Sequence, residues 1–164
     1  MDNKSSTASK MFDQLEGTWQ GTGRGGYPTI APFEYREKLV LTRRDPSTLA
    51  YEQRTEKCVE GSTEFVPSHW ESGFIRILEN DQLELVNVQS GGRGEVLTGH
   101  IEAFGSITRL HFVSKAFMND TRMVSSARKF ELDGEHLHYE MEMSTTKLDQ
   151  MTQHLAISLE RVRK

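Results

Sequence analysis

A single cysteine in 164 residues, Cys58, rules out an internal disulfide and a thiolate metal cluster, and fits a reducing compartment, by default the cytoplasm. Positive charge is not in excess either: 20 Lys and Arg stand against 24 Asp and Glu, for a net charge of −4. Nucleic acid, whose binding rests on phosphate neutralisation, is therefore not an expected partner. The densest basic cluster, Lys38 to Arg44, ends at Asp45-Pro46 and reads as a solvated strand end. No apolar run approaches the ~18 residues that cross a bilayer as a helix, so no membrane role is expected. Met1 to Ser9 has no apolar stretch of the signal-peptide kind, and residues 1–9 are expected to be a polar, disordered tail. Helical periodicity is scarce as well: after residue 16 no 3.6-residue stripe exceeds about two turns, and Lys10 to Glu16 supplies at most one short turn.

What the chain does have is period two. From Gly17 onward it reads as about ten extended segments of roughly 7–10 residues, punctuated by Gly, Pro, Asn and Asp. His136 to Met143 is the clearest, apolar at every odd position and polar at every even one. Asp133-Gly134 joins it to Met123–Leu132, a hairpin signal because both central residues tolerate positive φ. The other segments are Gly17–Arg24, Phe33–Leu41, Thr48–Thr55, Ser68–Leu78, Leu83–Gln89, Glu95–Ala103, Ser106–Lys115 and His154–Arg163. A meander of about ten antiparallel strands leaves two exposed edges unless it closes. The expected fold is an all-β, ten-stranded antiparallel up-and-down barrel, one domain over residues 10–164, with interior space for a small ligand.

Gly21-Thr22-Gly23-Arg24-Gly25-Gly26 satisfies the dinucleotide pattern G-x-G-x-x-G. That pattern needs a helix after its last glycine, and here Tyr27-Pro28-Thr29-Ile30-Ala31-Pro32 follows, with two prolines no helix accommodates. Gly17-Thr18-Trp19-Gln20-Gly21-Thr22-Gly23 reads instead as a first barrel strand. Its tryptophan plugs the barrel end, and its glycines either relieve curvature or leave room for something close. Of six histidines, His136 and His138 share a face with Glu140 and Glu142, the solvent side, and are not expected to bind metal. His100 and His111 flank the Phe104-Gly105 hairpin without a distinguishing neighbourhood.

The run Gly17-x-Trp19-x-Gly21-x-Gly23, then Gly26-Tyr27-Pro28-Thr29-Ile30 and Pro32-Phe33-x-Tyr35-x-Glu37, resembles the opening signature of the nitrobindin family. Similar blocks follow in order: His69-Trp70-Glu71-Ser72-Gly73-Phe74-x-Arg76, Gln89-Ser90-x-Gly92, Arg128-x-Phe130-Glu131-Leu132, Met143-Ser144-Thr145-Thr146 and His154-Leu155. The resemblance spans about residues 11 to 163 and implies a fatty-acid-binding-protein-like barrel, a calycin relative. It implies one haem b per chain, noncovalent since no Cys-x-x-Cys-His sequence exists. His154 is then the axial iron ligand and the residue on which catalysis rests. Thr29, His69, Gln89 and Met143 are placed toward the haem pocket, with Tyr139 as further wall.

Residue by residue, blander readings stand beside these. Thr29 is equally a turn threonine bonding its own backbone, and Met141 and Met143 are equally core fillers. Arg122 is a propionate partner by charge alone. Trp19 with Arg161 or Arg163 is similar to lipocalin-like closures in which a last-strand arginine covers a first-strand tryptophan.

His154 is expected at the entry to the last strand, after a polar loop from Thr145 to Gln153. Leu155, Ile157 and Leu159 alternate against it, so either the even face lines the cavity or a bulge at His154 breaks the parity. The implied activity is nitric oxide binding and isomerisation of peroxynitrite to nitrate by a ferric haem protein, monomeric or homodimeric. The alternative is a haem-free carrier or sensor of a fatty acid or other small apolar ligand.

Overall fold

The computed structural model describes residues 7–163. One helix, α1 (Thr7–Leu15), precedes ten strands: β1 (Gly17–Tyr27), β2 (Ile30–Asp45), β3 (Thr48–Cys58), β4 (Phe65–Ile77), β5 (Leu83–Gln89), β6 (Gly94–Phe104), β7 (Ile107–Met118), β8 (Met123–Asp133), β9 (His136–Thr145) and β10 (Leu148–Arg161). Each strand pairs antiparallel with the next, and β1 pairs with β10, closing the sheet into a barrel. The expected architecture and strand order are both present. The G-x-G-x-x-G run lies inside β1 and leads into the Pro28-Thr29 turn of a hairpin, not into a helix.

Two expectations at the amino terminus change. The first six residues of the expected disordered tail lie outside the described residues, but Thr7 to Ser9 are helical. The helix is also longer than the single turn read from Lys10 to Glu16. Ala8, Met11, Phe12 and Leu15, at helical spacing, are all buried against the barrel core. Ala8 starts that stripe, and a small apolar residue in a polar string carries little signal.

Closure between β1 and β10 depends on close backbone approach. A Cβ on Gly21 would collide with the Ser158 carbonyl, and one on Gly23 with the Ala156 carbonyl and the Ile157 side chain. The neighbour for which these glycines leave room is therefore the last strand itself. Arg161 then ties β10 to the helix: its guanidinium carbon sits 4.2 Å above the Trp19 ring. Its Nη1 donates to the Glu16 carbonyl at 2.6 Å and its Nη2 to that of Gln14. A cation is favourable there because the last carbonyls of a helix carry partial negative charge. Trp19 Nε1 donates to the Leu15 carbonyl at 2.9 Å, so the expected tryptophan–arginine closure also anchors α1.

The interior divides in two. At the helix end, Leu39, Leu41, Leu49, Ile75, Leu83, Leu85, Leu97, Leu110, Leu137 and Leu159 pack with Met11, Phe12 and Leu15 into a filled core. At the other end, the β1–β2, β5–β6, β7–β8 and β9–β10 turns surround the mouth of a cavity.

Gly21→Ala is expected to lower unfolding stability by about 1–3 kcal/mol, because backbone on both sides of the collision leaves little room to yield. In Gly26→Ala the new Cβ would stand 3.4 Å from Pro32 Cα, and stability should change little. Urea denaturation of the two variants measures the contrast.

Candidate functional site

The cavity holds about 650 Å³ and is bordered by residues of all ten strands and several of their turns. Its wall around His154 is apolar, formed by Tyr27, Ile30, Phe33, Met141, Met143 and Leu155. All five site residues expected from sequence, Thr29, His69, Gln89, Met143 and His154, border it. Thr29 sits exposed in the two-residue turn at the rim. Met143 is buried on β9, and His69 and Gln89 belong to adjacent strands β4 and β5.

His154 lies within β10, not at its entry, because β9 and β10 join through the short turn at Thr146-Lys147 and β10 begins at Leu148. Its parity conflict resolves by a bulge. Gln153 pairs with Glu142 and Leu155 with Met141, so His154 is an extra residue opposite a single step of β9. The bulge allows His154 and Leu155 both to line the cavity, while Ile157 and Leu159 continue into the core.

The imidazole is held on three sides. Its Nδ1 lies 3.0 Å from the Gly26 carbonyl, an acceptor only, so Nδ1 carries the proton and Nε2 keeps its lone pair. The rings of Tyr27 and Phe33 stand edge-on at 6.1 and 6.4 Å. Burial lowers the His154 pKa below its usual value, against the pull of the Gly26 hydrogen bond, and the charge of His69 adds to the lowering. The ring is thus neutral and nucleophilic at neutral pH, the state a metal requires.

The cavity floor is ionic, a feature the sequence reading missed. Arg128, Glu71 and Glu95 have side chains only 3%, 2% and 3% exposed. Arg128 Nη1 lies 2.5 Å from Glu71 Oε1, and Nη2 2.5 Å from Glu95 Oε2. Tyr51 donates to Glu71 at 3.0 Å, His69 Nε2 lies 3.2 Å from the same carboxylate, and the Ser126 hydroxyl donates to Glu95. Arg128 and Gln53 also border a residual void of about 10 Å³ among the leucines below. They therefore mark the boundary between hollow and solid.

Burial opposes the charge on Glu71, but the adjacent Arg128 and the hydrogen bonds from His69 and Arg128 hold its pKa down to about 2. Glu37, equally buried, has no such cation against it. Burial pushes it up to about 8, the Glu71 charge adds to the rise, and Gln53 and Arg128 offset only part. Parity would have exposed these residues: Arg128 is in phase with the inward Phe130 and Leu132, and Glu37 with Tyr35, Leu39 and Leu41.

At the mouth, Arg93 and Arg122 both pair with Asp120, at 3.2 and 3.1 Å. Arg122 therefore already has a carboxylate partner, shared with Arg93. Lys57, whose ammonium lies 4.6 Å from the Phe33 ring centre, and Lys147 border the cavity without an ion pair among the described residues.

A closed barrel, solid at one end and hollow at the other, with a neutral imidazole in an apolar wall, defines a protein that encloses a small ligand. Residues 8–161 match the model of a THAP4-like, heme-binding beta-barrel domain, and the chain belongs to that family. Among its relatives are proteins named peroxynitrite isomerase 2 from Mycobacterium ulcerans and Mycobacterium marinum, each 34% identical over 150 residues, covering 90% of this chain and 90% of theirs. Peroxynitrite isomerase 1 from Mycolicibacterium paratuberculosis is 34% identical over 152 residues, covering 91% of each chain. The crystal structure of Rv2717c from M. tuberculosis superposes with a TM-score of 0.85 at 28% identity, over 96% of this chain and 99% of that one.

Arg128→Leu leaves two buried carboxylates without their cation and is expected to cost about 3–5 kcal/mol in urea denaturation. Glu37 contributes with the opposite pH dependence to Glu71. A pKa raised from 4.5 to about 8 gives stability that is lost as pH rises through that window, whereas the stability from Glu71 is lost as pH falls from 4.5 toward about 2. Glu37→Gln should therefore gain stability relative to the unmodified chain between pH 5 and pH 8, as read from paired urea midpoints.

Proposed function

We propose that this chain holds one haem b noncovalently through the His154 imidazole and isomerises peroxynitrite to nitrate, binding nitric oxide at the same centre. The observation that carries this reading is the His154 ring itself. It is neutral, fixed by a backbone carbonyl through Nδ1, and set in the wall of a cavity of about 650 Å³. The residues present fit the group: His154 offers a free Nε2 while His69 is engaged by Glu71, the wall around His154 is apolar, and the volume lies in the range of small-molecule sites. Family membership and the names of the mycobacterial relatives support the same activity. In this reading Thr29, His69, Gln89 and Met143 are the walls that bound the cofactor.

A ferric haem with one imidazole ligand supplies an open coordination position that acts as a Lewis acid. The protein's own contribution is positional. The Gly26 carbonyl orients His154 and raises its basicity as a ligand, as outer partners of metal-bound histidines do. Phe33, Met141, Met143 and Leu155 keep bulk water from the reacting centre. Lys57 and Lys147 bring unpaired positive charge to the mouth, which favours entry of an anion. Peroxynitrite anion and nitrate contain the same atoms and bear the same charge, so no protein acid or base has to donate or remove a proton. Cys58, a free thiol, fits action in a reducing compartment such as the cytoplasm.

Reconstitution with hemin tests the assignment. A sharp Soret band is expected, with affinity reduced on the order of 100-fold in His154→Ala and little changed in His69→Ala. Equal haem binding by His154→Ala would remove His154 from the axial role, and no Soret band at all would favour the apolar-ligand carrier. Rapid mixing with peroxynitrite should raise the nitrate yield above buffer only in the haem-loaded protein.

Protonation of Nε2 abolishes ligation, and the His154 pKa lies below its ordinary 6.5. Haem retention should therefore persist below pH 6.5 and fail at more acidic pH, as followed by Soret absorbance with far-ultraviolet dichroism as the folding control.

A further inference from the structure

Away from the cavity, three side chains converge on the outer face of the β6–β7 hairpin. His100 and His111 are directly paired across the two strands, and Glu102 lies two residues along β6 on the same face. The alternating residues Leu110 and Phe112 are buried in the core and Ile101 packs against it, which turns the three polar side chains outward. The two imidazoles stack, with centroids 5.1 Å apart and planes 13° from parallel. Glu102 spans them: its Oε1 lies 3.4 Å from His100 Nε2 and its Oε2 3.3 Å from His111 Nε2.

We propose that His100, Glu102 and His111 form a second, surface site that binds a divalent transition-metal cation of the imidazole-preferring kind, represented by zinc. The donor set is two imidazoles and one carboxylate, which suits zinc and its neighbours and not the oxygen-seeking magnesium or calcium. The spacing fits too. Donors about 2.0–2.1 Å from a tetrahedral zinc stand about 3.3–3.4 Å from one another. The two carboxylate–imidazole separations already have that value, through different oxygens of Glu102, and one ligand atom from each residue lies within 4.8 Å of the others. A turn of the Glu102 carboxylate and of the exposed His100 ring would bring one oxygen and both Nε2 atoms to a common ion.

Two further observations point to a cation. His111 Nε2 is shielded from solvent and makes no well-directed hydrogen bond, although the Glu102 carboxylate is close. A buried ring nitrogen in that state is costly, and a metal ion satisfies it. The permanent cations beside the cluster are engaged elsewhere. Arg109, paired in register with Glu102, donates to Glu131 at 2.6 Å, and Lys129, in register with His111, lies 3.7 Å from Glu140. Among the described residues Glu102 forms its ion pairs with the two imidazoles and none with a permanent cation, so the cluster is negative when both rings are neutral. The His100 side chain is 60% exposed, so water could complete the shell of a cation held there. None of the three residues borders the cavity, so the site is independent of the haem reading.

Calorimetric titration of the hemin-loaded full chain with zinc chloride tests the proposal, beside His100→Gln and Glu102→Gln at solvent-accessible positions. One zinc per chain is expected at this site, with affinity lowered about tenfold or more in either variant and no displacement of the Soret band. Zinc at about 100 times its Kd should raise Tm by about 5–10 °C in the unmodified chain and by much less in His100→Gln, because the assembled site exists only in the folded state. Absence of saturable binding, or equal affinity in the unmodified chain and both variants, would overturn the assignment.

Discussion

Pairing of β1 with β10 is the constraint on which the other features rest. An open ten-stranded meander would have two unsatisfied edges and no inside. Joining the first strand to the last removes both edges and creates the enclosed volume in one step. The join is narrow: Gly21 and Gly23 lie against the Ser158 and Ala156 carbonyls with no room for a side chain between. β10 then serves three purposes along its length. Arg161 fastens the helix over one end, Ile157 and Leu159 fill the core, and the bulge at His154 turns an imidazole into the hollow end.

The hollow persists because its floor is polar. Were Glu71, Glu95 and Arg128 apolar, the leucine core would have no reason to stop at mid-barrel. Instead a pair of buried carboxylates flanks one guanidinium, and Tyr51, Ser126 and His69 supply further hydrogen bonds to the carboxylates. Buried ion pairs of this kind contribute little net stability but tolerate few alternative arrangements. They hold the cavity to a fixed depth while the apolar wall above receives the ligand. Glu37, protonated beside the pair near neutral pH, adds no further charge to it.

Much of this was legible in the residues. The span of β5 coincides with the segment Leu83–Gln89 read from periodicity, and the Asp133-Gly134 turn joins β8 to β9 as expected, with Gly134 at φ 60°. The motif resemblance named Thr29, His69, Gln89, Met143 and His154, and these line one cavity although they come from the β1–β2 turn, the adjacent strands β4 and β5, and the adjacent strands β9 and β10. The ionic floor was not read, because a charged residue in phase with leucines looks like an interruption of the pattern until its partners are known. Arg128 and Glu71 are 57 residues apart, and periodicity carries no information about such a pairing. The His100–His111 pair was missed for a different reason: each histidine alone is ordinary, and only the register across Phe104-Gly105 brings them face to face.

Local chemistry along the chain was enough to specify strands, turns and the closed sheet. Alternation, positive-φ turn residues and small residues act over a few positions and need no knowledge of distant neighbours. Depth, direction and charge state came from the assembled barrel. The extra residue at His154 acquires meaning only against the β9 register, and the protonation of Glu37 and Glu71 diverges only because one lacks, and the other has, a guanidinium in contact. These properties are set by through-space distances between segments far apart in sequence, and such distances exist only once the barrel has closed.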